Sequence, residues 1–116
     1  MAYDNAIKES ALGVAPGLLS AHGAVSEQVG QAMADGVRAR FGADVGLAVT
    51  GFAGPTGGTP KKPVGTVVIA IATPVASAVR TFLFLGDREM IRTQSVVAAL
   101  DMVRRHALPP VSRARP

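Results

Sequence analysis

The chain has 116 residues, of which 48% are hydrophobic, and this is enough for one domain with its own core. It contains no cysteine, which excludes disulfides, thiolate metal sites and a cysteine nucleophile. The net charge of +4 equals the charge of four arginines within the last thirteen residues, so the basic character lies at the C-terminal end and not on a face of the domain. With one tyrosine and no tryptophan, the sequence has no stripe of basic residues interleaved with aromatic ones, so we expect no nucleic-acid partner.

Metal sites, membrane spans and secretion signals are equally absent from the sequence. His22 and His106 lie far apart without metal-ligand spacing, so we expect no metal site and no cofactor. No apolar run reaches the length of a membrane span, and the first residues lack the basic and apolar regions of a signal peptide. These patterns predict a cytoplasmic protein that does not contact a membrane.

Three helices are predicted in the first 42 residues. Residues 4–12 can form a short helix that Gly13 ends, and Pro16 suits the first turn of a second helix that Gly23 ends. Ser26 is a good N-cap for the third helix, which ends near Gly42. The third helix has an apolar residue at every fourth position, which gives one stripe: Val29, Met33, Val37 and Phe41.

Three strands and a last helix follow. Residues 45–50 are a short apolar run that predicts a strand buried on both faces. Residues 66–73 and 77–85 are two further strands, and the short gap between them favours an antiparallel hairpin. Asp87 is the candidate N-cap of the last helix, which Pro109 and Pro110 end. We therefore expect one domain over residues 1–108 and a disordered tail over residues 109–116.

This order of elements favours a layered α/β domain, with helices covering a sheet. Three strands make a small sheet, and the long third helix has no strand before it to begin a crossover unit. The pattern is typical of the later two-thirds of a larger domain.

The segment between the first two strands is the most informative one. Residues 50–66 contain five glycines and three prolines, and loops of this length in compact domains are usually functional or disordered. Glycines let backbone N–H groups approach a ligand, prolines limit flexibility, and Lys61 or Lys62 would add charge for a phosphate or carboxylate. We expect residues 51–65 to line a ligand pocket, so that valine at Gly54 or Gly57 affects binding more than thermal stability. The alternative is a surface loop that only joins two strands.

Several segments together resemble the CinA C-terminal domain family, in the family's order and up to about Leu108. They are Gly23-Ala24-Val25-Ser26-Glu27, Met33-Ala34-Asp35-Gly36-Val37-Arg38, residues 43–51, Ala53-Gly54-Pro55 with Gly57-Gly58, Lys62-Pro63-Val64-Gly65-Thr66-Val67, and Gly86-Asp87-Arg88 with Ile91-Arg92.

The resemblance implies a three-layer α/β/α sandwich and the activity of a nicotinamide-nucleotide amidase, a hydrolase that needs no metal. Such enzymes convert nicotinamide mononucleotide to nicotinic acid mononucleotide and ammonia. The family's nucleophile is a serine in a Glu-Ser-x-Thr-Gly-Gly segment, and its partners are Tyr and Lys in a Tyr-Ser-Asn-x-x-Lys segment. Residues 3–8 match the second segment, with Asp4 in place of serine, and nothing matches the first. The resemblance thus implies that the first strand and helix of the sandwich are missing.

The resemblance assigns roles to particular residues. Lys8 would be the catalytic base and Tyr3 its partner; otherwise Lys8 is an exposed helix lysine and Tyr3 a packed terminal ring. Ser10 and Ser26 are poor substitutes for the serine, since Ser10 diverges from Lys8 on a helix and Ser26 is an N-cap. The candidate substrate-binding residues are Thr50, Gly51, Gly54, Pro55, Gly57, Gly58, Lys62, Arg88 and Arg92.

Arg88 and Arg92, four residues apart on one helix, share a face and suit a phosphate, or else they form a solvated face paired with Asp87 or Glu89. His106 is expected to be only a helix-end cation.

Three functions fit these expectations. The first is an amidase acting on a small-molecule pyridine nucleotide, and the second is a nucleotide-binding or assembly module without catalysis. The third is a product of a misassigned start codon, whose full form is longer and active. A homo-oligomer is compatible with all three.

Overall fold

A computed structural model describes residues 12–106, and within them the chain forms three helices and three strands. The helix predicted over residues 4–12, apart from its last position, and the tail at 109–116 lie outside the described residues. The elements are α1 (Pro16–His22), α2 (Glu27–Phe41), β1 (Gly46–Gly51), β2 (Thr66–Ala72), β3 (Ser77–Leu83) and α3 (Arg88–His106).

The predicted capping residues begin and end the long helices. The Ser26 hydroxyl accepts the backbone N–H of Val29 at 3.2 Å, and Gly42 ends α2 in the left-handed conformation at φ +59°. The Asp87 carboxylate accepts the N–H of Met90 at 2.9 Å at the start of α3. Side-chain capping therefore fixes the point where each helix leaves the preceding loop.

The three strands form one antiparallel sheet in the order β1-β2-β3. Val68 in β2 lies opposite Thr50 in β1 and opposite Thr81 in β3. The predicted hairpin between the second and third strands is confirmed. Because β1 and β2 are antiparallel, residues 52–65 form the long connection of a hairpin at one end of the sheet.

Helices cover both faces of the sheet, which confirms the predicted three-layer α/β/α arrangement. On one face, α1 and α2 pack against the small side chains Ala48, Ala70 and Ala72. On the other face, Ile91, Ala99 and Met102 of α3 pack against side chains of β2, namely Val67, Ile69 and Ile71. The central strand β2 is buried along its whole length, so the core lies on either side of it.

Two expectations about burial were wrong. The first strand is not buried on both faces, because Leu47 and Val49 are 37% and 43% exposed. The reason is that β1 lies at an edge of the described sheet, and α3 packs mainly on β2. Likewise Phe41, the last residue of α2, is 71% exposed, since the buried face of that helix is formed earlier, by residues 29–34.

Candidate ligand site at the glycine-rich loop

The glycine-rich loop, residues 52–65, is anchored at its two ends. The N–H of Phe52 donates to the carbonyl of Thr66 at 3.0 Å, and the N–H of Gly65 donates to the carbonyl of Phe52 at 2.7 Å. These bonds extend the β1–β2 ladder beyond Gly51, where a Cβ atom would lie only 2.7 Å from the Thr66 carbonyl oxygen. The loop therefore projects from a fixed base, as expected for a shaped loop.

Three glycines inside the loop adopt conformations that other residues avoid. Gly54, Gly57 and Gly58 have φ angles of +85°, +86° and +80°. A Cβ atom at Gly54 would lie 2.7 Å from a methyl group of Val64, and one at Gly58 would lie 2.7 Å from the Val64 nitrogen. The glycines thus allow two parts of the loop to cross closely at Val64. Pro55, which follows Gly54, is exposed.

The same segment presents backbone donors that no described residue engages. The N–H groups of Gly54, Thr56, Gly57 and Gly58 make no hydrogen bond within residues 12–106. Successive N–H groups in a segment with left-handed residues form concave sites that bind anions. The loop holds donors of this kind, and its role in binding a ligand stays a prediction. The rule that places ligands at the ends of parallel strands does not apply to it, because the sheet is antiparallel.

Thr50 and Lys62 direct their polar atoms at the backbone between α1 and α2. The Thr50 hydroxyl donates to the carbonyl of Ala24 at 2.9 Å, and the residue is 8% exposed. The Lys62 ammonium donates to the carbonyls of Val25 at 2.7 Å and His22 at 3.2 Å. The bonds that both residues make therefore hold the protein's own backbone, and their predicted role in binding a substrate stays a prediction.

Arg88 and Arg92 are both exposed on the first turns of α3. Arg88 donates from Nη1 to the carbonyl of Gly54 at 3.1 Å, which ties α3 to the loop. Neither arginine pairs with Asp87 or Glu89. Within the described part of the chain, ion pairs form only at the far end of α3, where Arg104 and Arg105 lower the pKa of Asp101 by hydrogen bonding to its carboxylate.

A groove of about 500 Å³ lies beside the loop. Of residues 51–65, which the sequence predicted to line a pocket, this groove is lined by residues 61–63 and not by the glycines. Residues that the sequence did not indicate also line it, among them Glu27 and Thr81. The Thr81 hydroxyl donates to Glu27 Oε2 at 2.7 Å. Glu27 is the acidic residue in the first turn of α2, and Thr81 lies 54 residues further along the chain. Local spacing in the sequence could not indicate this pair, because the β2–β3 register brings Thr81 to the groove.

The predicted catalytic pair, Tyr3 and Lys8, lies outside the described residues, as does Ser10. Ser26 is the N-cap that the sequence predicted. His106 is the last residue of α3. Among residues 12–106, no group of three or more histidines or carboxylates is placed to hold a metal ion, and no helix is long and apolar enough to cross a membrane.

Comparison with known proteins identifies the family. The family model of the CinA C-terminal domain matches residues 1–107. The chain belongs to the CinA C-terminal domain family. It is 53% identical over 104 residues to a CinA-like protein of Anaeromyxobacter sp. (strain Fw109-5), an alignment that covers 90% of this chain and 25% of that protein.

Solved structures agree with this assignment. The competence/damage inducible protein CihA from Agrobacterium tumefaciens matches with a TM-score of 0.86 and 37% identity, over 89% of this chain and 64% of that chain. The competence damage-inducible protein A from Klebsiella pneumoniae matches with a TM-score of 0.84 and 35% identity, over 90% of this chain and 65% of that chain. This CinA C-terminal domain thus spans about a quarter of its curated relative and just under two thirds of these solved chains.

Proposed function

We propose that this CinA C-terminal domain binds a pyridine nucleotide at the glycine-rich loop and serves a nicotinamide-nucleotide amidase reaction. The substrate would be nicotinamide mononucleotide, and the products nicotinic acid mononucleotide and ammonia. The observation that supports the proposal is the set of backbone N–H groups at residues 54–58 that no described residue engages, next to arginines of α3. Such a set suits a ligand that has a phosphate and, during reaction, a developing oxyanion.

The arginines supply positive charge next to residues 54–58, which carry no charged side chain of their own. Arg88 uses one guanidinium N–H on the Gly54 carbonyl, and its remaining donors are available to a ligand. Arg92 lies one turn further along α3 and makes no hydrogen bond with any described residue. Because guanidinium groups pair with phosphate through two parallel bonds, this pair is suited to the nucleotide phosphate.

The reaction requires a serine nucleophile, and no segment of the 116 residues matches the family segment that carries it. In the proposed chemistry a serine oxygen attacks the carboxamide carbon, ammonia leaves, and water then releases the acid from the acyl-enzyme. Lys8 would take the serine proton and Tyr3 would assist, as the family resemblance implies. Since the sequence has no Glu-Ser-x-Thr-Gly-Gly segment, we expect the 116-residue chain alone to release ammonia at a rate lower by several orders of magnitude than a chain that carries the segment.

Calorimetric titration with nicotinamide mononucleotide tests the binding half of the proposal. Arg92→Gln should raise the Kd about tenfold, the effect of losing one charge-assisted contact. Arg40→Gln is the matched control. Arg40 is also an exposed helix arginine, but it lies in the last turn of α2 and is not part of the proposed site. A wild-type chain that does not bind the nucleotide, or equal effects of the two substitutions, would contradict the proposed site.

Ammonia release tests the catalytic half. The chain should gain activity when a family serine segment is supplied at its N-terminus, and Lys8→Met should remove that gain. The second candidate function is a nucleotide-binding module without catalysis. Nucleotide binding without ammonia release, even after the segment is supplied, would establish that alternative.

A further inference from the structure

The last residue of α1 and the short segment that leads from it to α2, residues 22–26 together, are here named the connector. Its backbone turns irregularly, so its carbonyls have no regular ladder of N–H partners. Side chains instead donate hydrogen bonds to four successive carbonyls. The donors are Lys62 to His22, Ser26 to Gly23 at 2.8 Å, Thr50 to Ala24, and Lys62 again to Val25.

Lys62 contributes two of these four bonds from a position that is itself fixed. Its backbone N–H donates to the Thr59 hydroxyl at 2.9 Å, and its carbonyl accepts the Thr59 N–H at 2.8 Å. These bonds close a tight turn just before the loop returns to β2. An ammonium has three N–H donors. Because two of them are bonded to carbonyls, the direction of the third is restricted.

Lys62 joins two of the segments that line the groove. Residues 25–28 form one wall, residues 61–63 form another, and residues of β2 and β3 line the rest. The Lys62 side chain crosses from the second wall to the Val25 carbonyl of the first, and it also reaches the His22 carbonyl outside the groove. Removing the ammonium would leave two carbonyls without these donors and would release one wall from the other.

We infer that Lys62 is a positioning residue, which clamps the connector to the end of the glycine-rich loop and thereby shapes the groove, instead of contacting the nucleotide phosphate directly. The clamp itself stands on the hydrogen bonds above. Its consequence for ligand binding rests on the proposed function.

Hydrogen exchange in the 116-residue chain tests the clamp without any ligand. Lys62→Met keeps the apolar stem but removes the donors. It should speed exchange of the Gly23 amide, which is bonded to the Leu19 carbonyl, about tenfold through local opening. The Ile69 amide in the centre of β2 reports global unfolding and should change much less. Lys61→Met is the control, since the exposed neighbour loses the same charge but makes no bond to the connector.

A milder second variant keeps the test decisive if Lys62→Met does not fold. Thr59→Ala leaves the ammonium in place but removes the hydroxyl that fixes its backbone. It should raise the exchange rate of the Gly23 amide in the same direction by a smaller factor. Exchange at Gly23 that is no faster in Lys62→Met, or in Thr59→Ala, than in Lys61→Met would overturn the clamp.

A pair of ligands separates positioning from direct contact. Nicotinamide mononucleotide has the phosphate, and nicotinamide riboside is the same nucleoside without it. If Lys62 acts by position, NMR titration should show that Lys62→Met weakens both ligands by the same factor. Weakening of the mononucleotide alone would mean that Lys62 contacts the phosphate. If the wild-type chain binds neither ligand, the proposed function fails, and the exchange measurement still decides the clamp.

Discussion

Gly54 and Gly57 allow backbone strain and packing in the glycine-rich loop to be measured separately. Their φ angles are nearly the same, +85° and +86°, so alanine at either position meets the same backbone penalty. Their surroundings differ, because Gly54 is buried and Gly57 is exposed. A Cβ atom at Gly54 would lie 2.7 Å from a Val64 methyl group, whereas at Gly57 the nearest atom would be a ring carbon of Phe52 at 3.1 Å.

The expected losses of stability follow from these contacts. A left-handed alanine costs about 1–2 kcal/mol, and this is the whole expected effect of Gly57→Ala. At Gly54 the clash adds about 1–3 kcal/mol of overpacking, for a total of about 2–5 kcal/mol. In a domain of this size, each kcal/mol lowers the melting temperature by about 4–8 °C. Gly54→Ala should therefore lower it about twice as far as Gly57→Ala, or further.

Thermal unfolding followed by circular dichroism gives the comparison, and Val64→Ala completes it. In the Gly54→Ala, Val64→Ala double variant the clash is relieved, so the packing part of the loss should be recovered while the backbone part remains. The sequence predicted that a substitution at Gly54 affects binding more than thermal stability. The contact with Val64 changes this expectation, because stability should fall along with binding. Equal melting temperatures for Gly54→Ala and Gly57→Ala, or no coupling to Val64, would refute the reasoning.

Three further predictions concern the layers around the loop. Gly30→Ala places a Cβ atom 2.9 Å from a Val68 methyl group, and this overpacking of about 1–3 kcal/mol should exceed the helix gain of about 1 kcal/mol. Val68→Ala is itself destabilising because Val68 is buried, but in that background Gly30→Ala should cost less in urea denaturation, and an unchanged cost would contradict the clash. Ser26→Ala should lower the free energy of unfolding by about 1 kcal/mol in the same assay, and no loss would mean that the cap is dispensable. Val97 and Leu100 are each 63% exposed on α3, so lysine at both should change the free energy of unfolding by less than about 0.5 kcal/mol per site in urea denaturation, and a larger loss would mean that these side chains are packed.

The elements of the fold followed from local signals in the sequence. Helix caps such as Ser26 and Asp87 act within three residues, so their bonds can be inferred from sequence spacing alone. Burial of β1 could not be inferred in this way. An apolar run such as residues 46–51 has the same appearance whether a helix covers it on one face or on both, and the exposure of Leu47 and Val49 depends on where α3 crosses the sheet.

The candidate site was predictable in its backbone but not in its side chains. The glycine and proline content of residues 52–65 indicated a shaped loop, and the positive φ angles agree with it. The partners of Lys62 lie 37 and 40 residues away, and the partner of Arg88 lies 34 residues away. Contacts over such distances depend on the antiparallel register and on the helix positions, which no local spacing encodes.

Around this loop, polar side chains hold the protein's own backbone, and backbone N–H groups are the donors proposed for a ligand. Lys62, Thr50 and Ser26 have the chemistry of ligand-binding residues, but their donors are engaged by connector carbonyls. In the proposed site, the groups that would bind a ligand are the backbone N–H groups of residues 54–58, which no described residue engages, and the arginines of α3. Backbone donors carry no side-chain identity, so they recognise charge and shape.

Substitutions at Lys62 or Thr50 should consequently alter affinity for every ligand of the site together, while preference between ligands with and without a phosphate should depend on Arg92. Measuring that preference in Arg92→Gln and in Thr50→Val is the direct comparison, and a change of preference in Thr50→Val would contradict this division of roles.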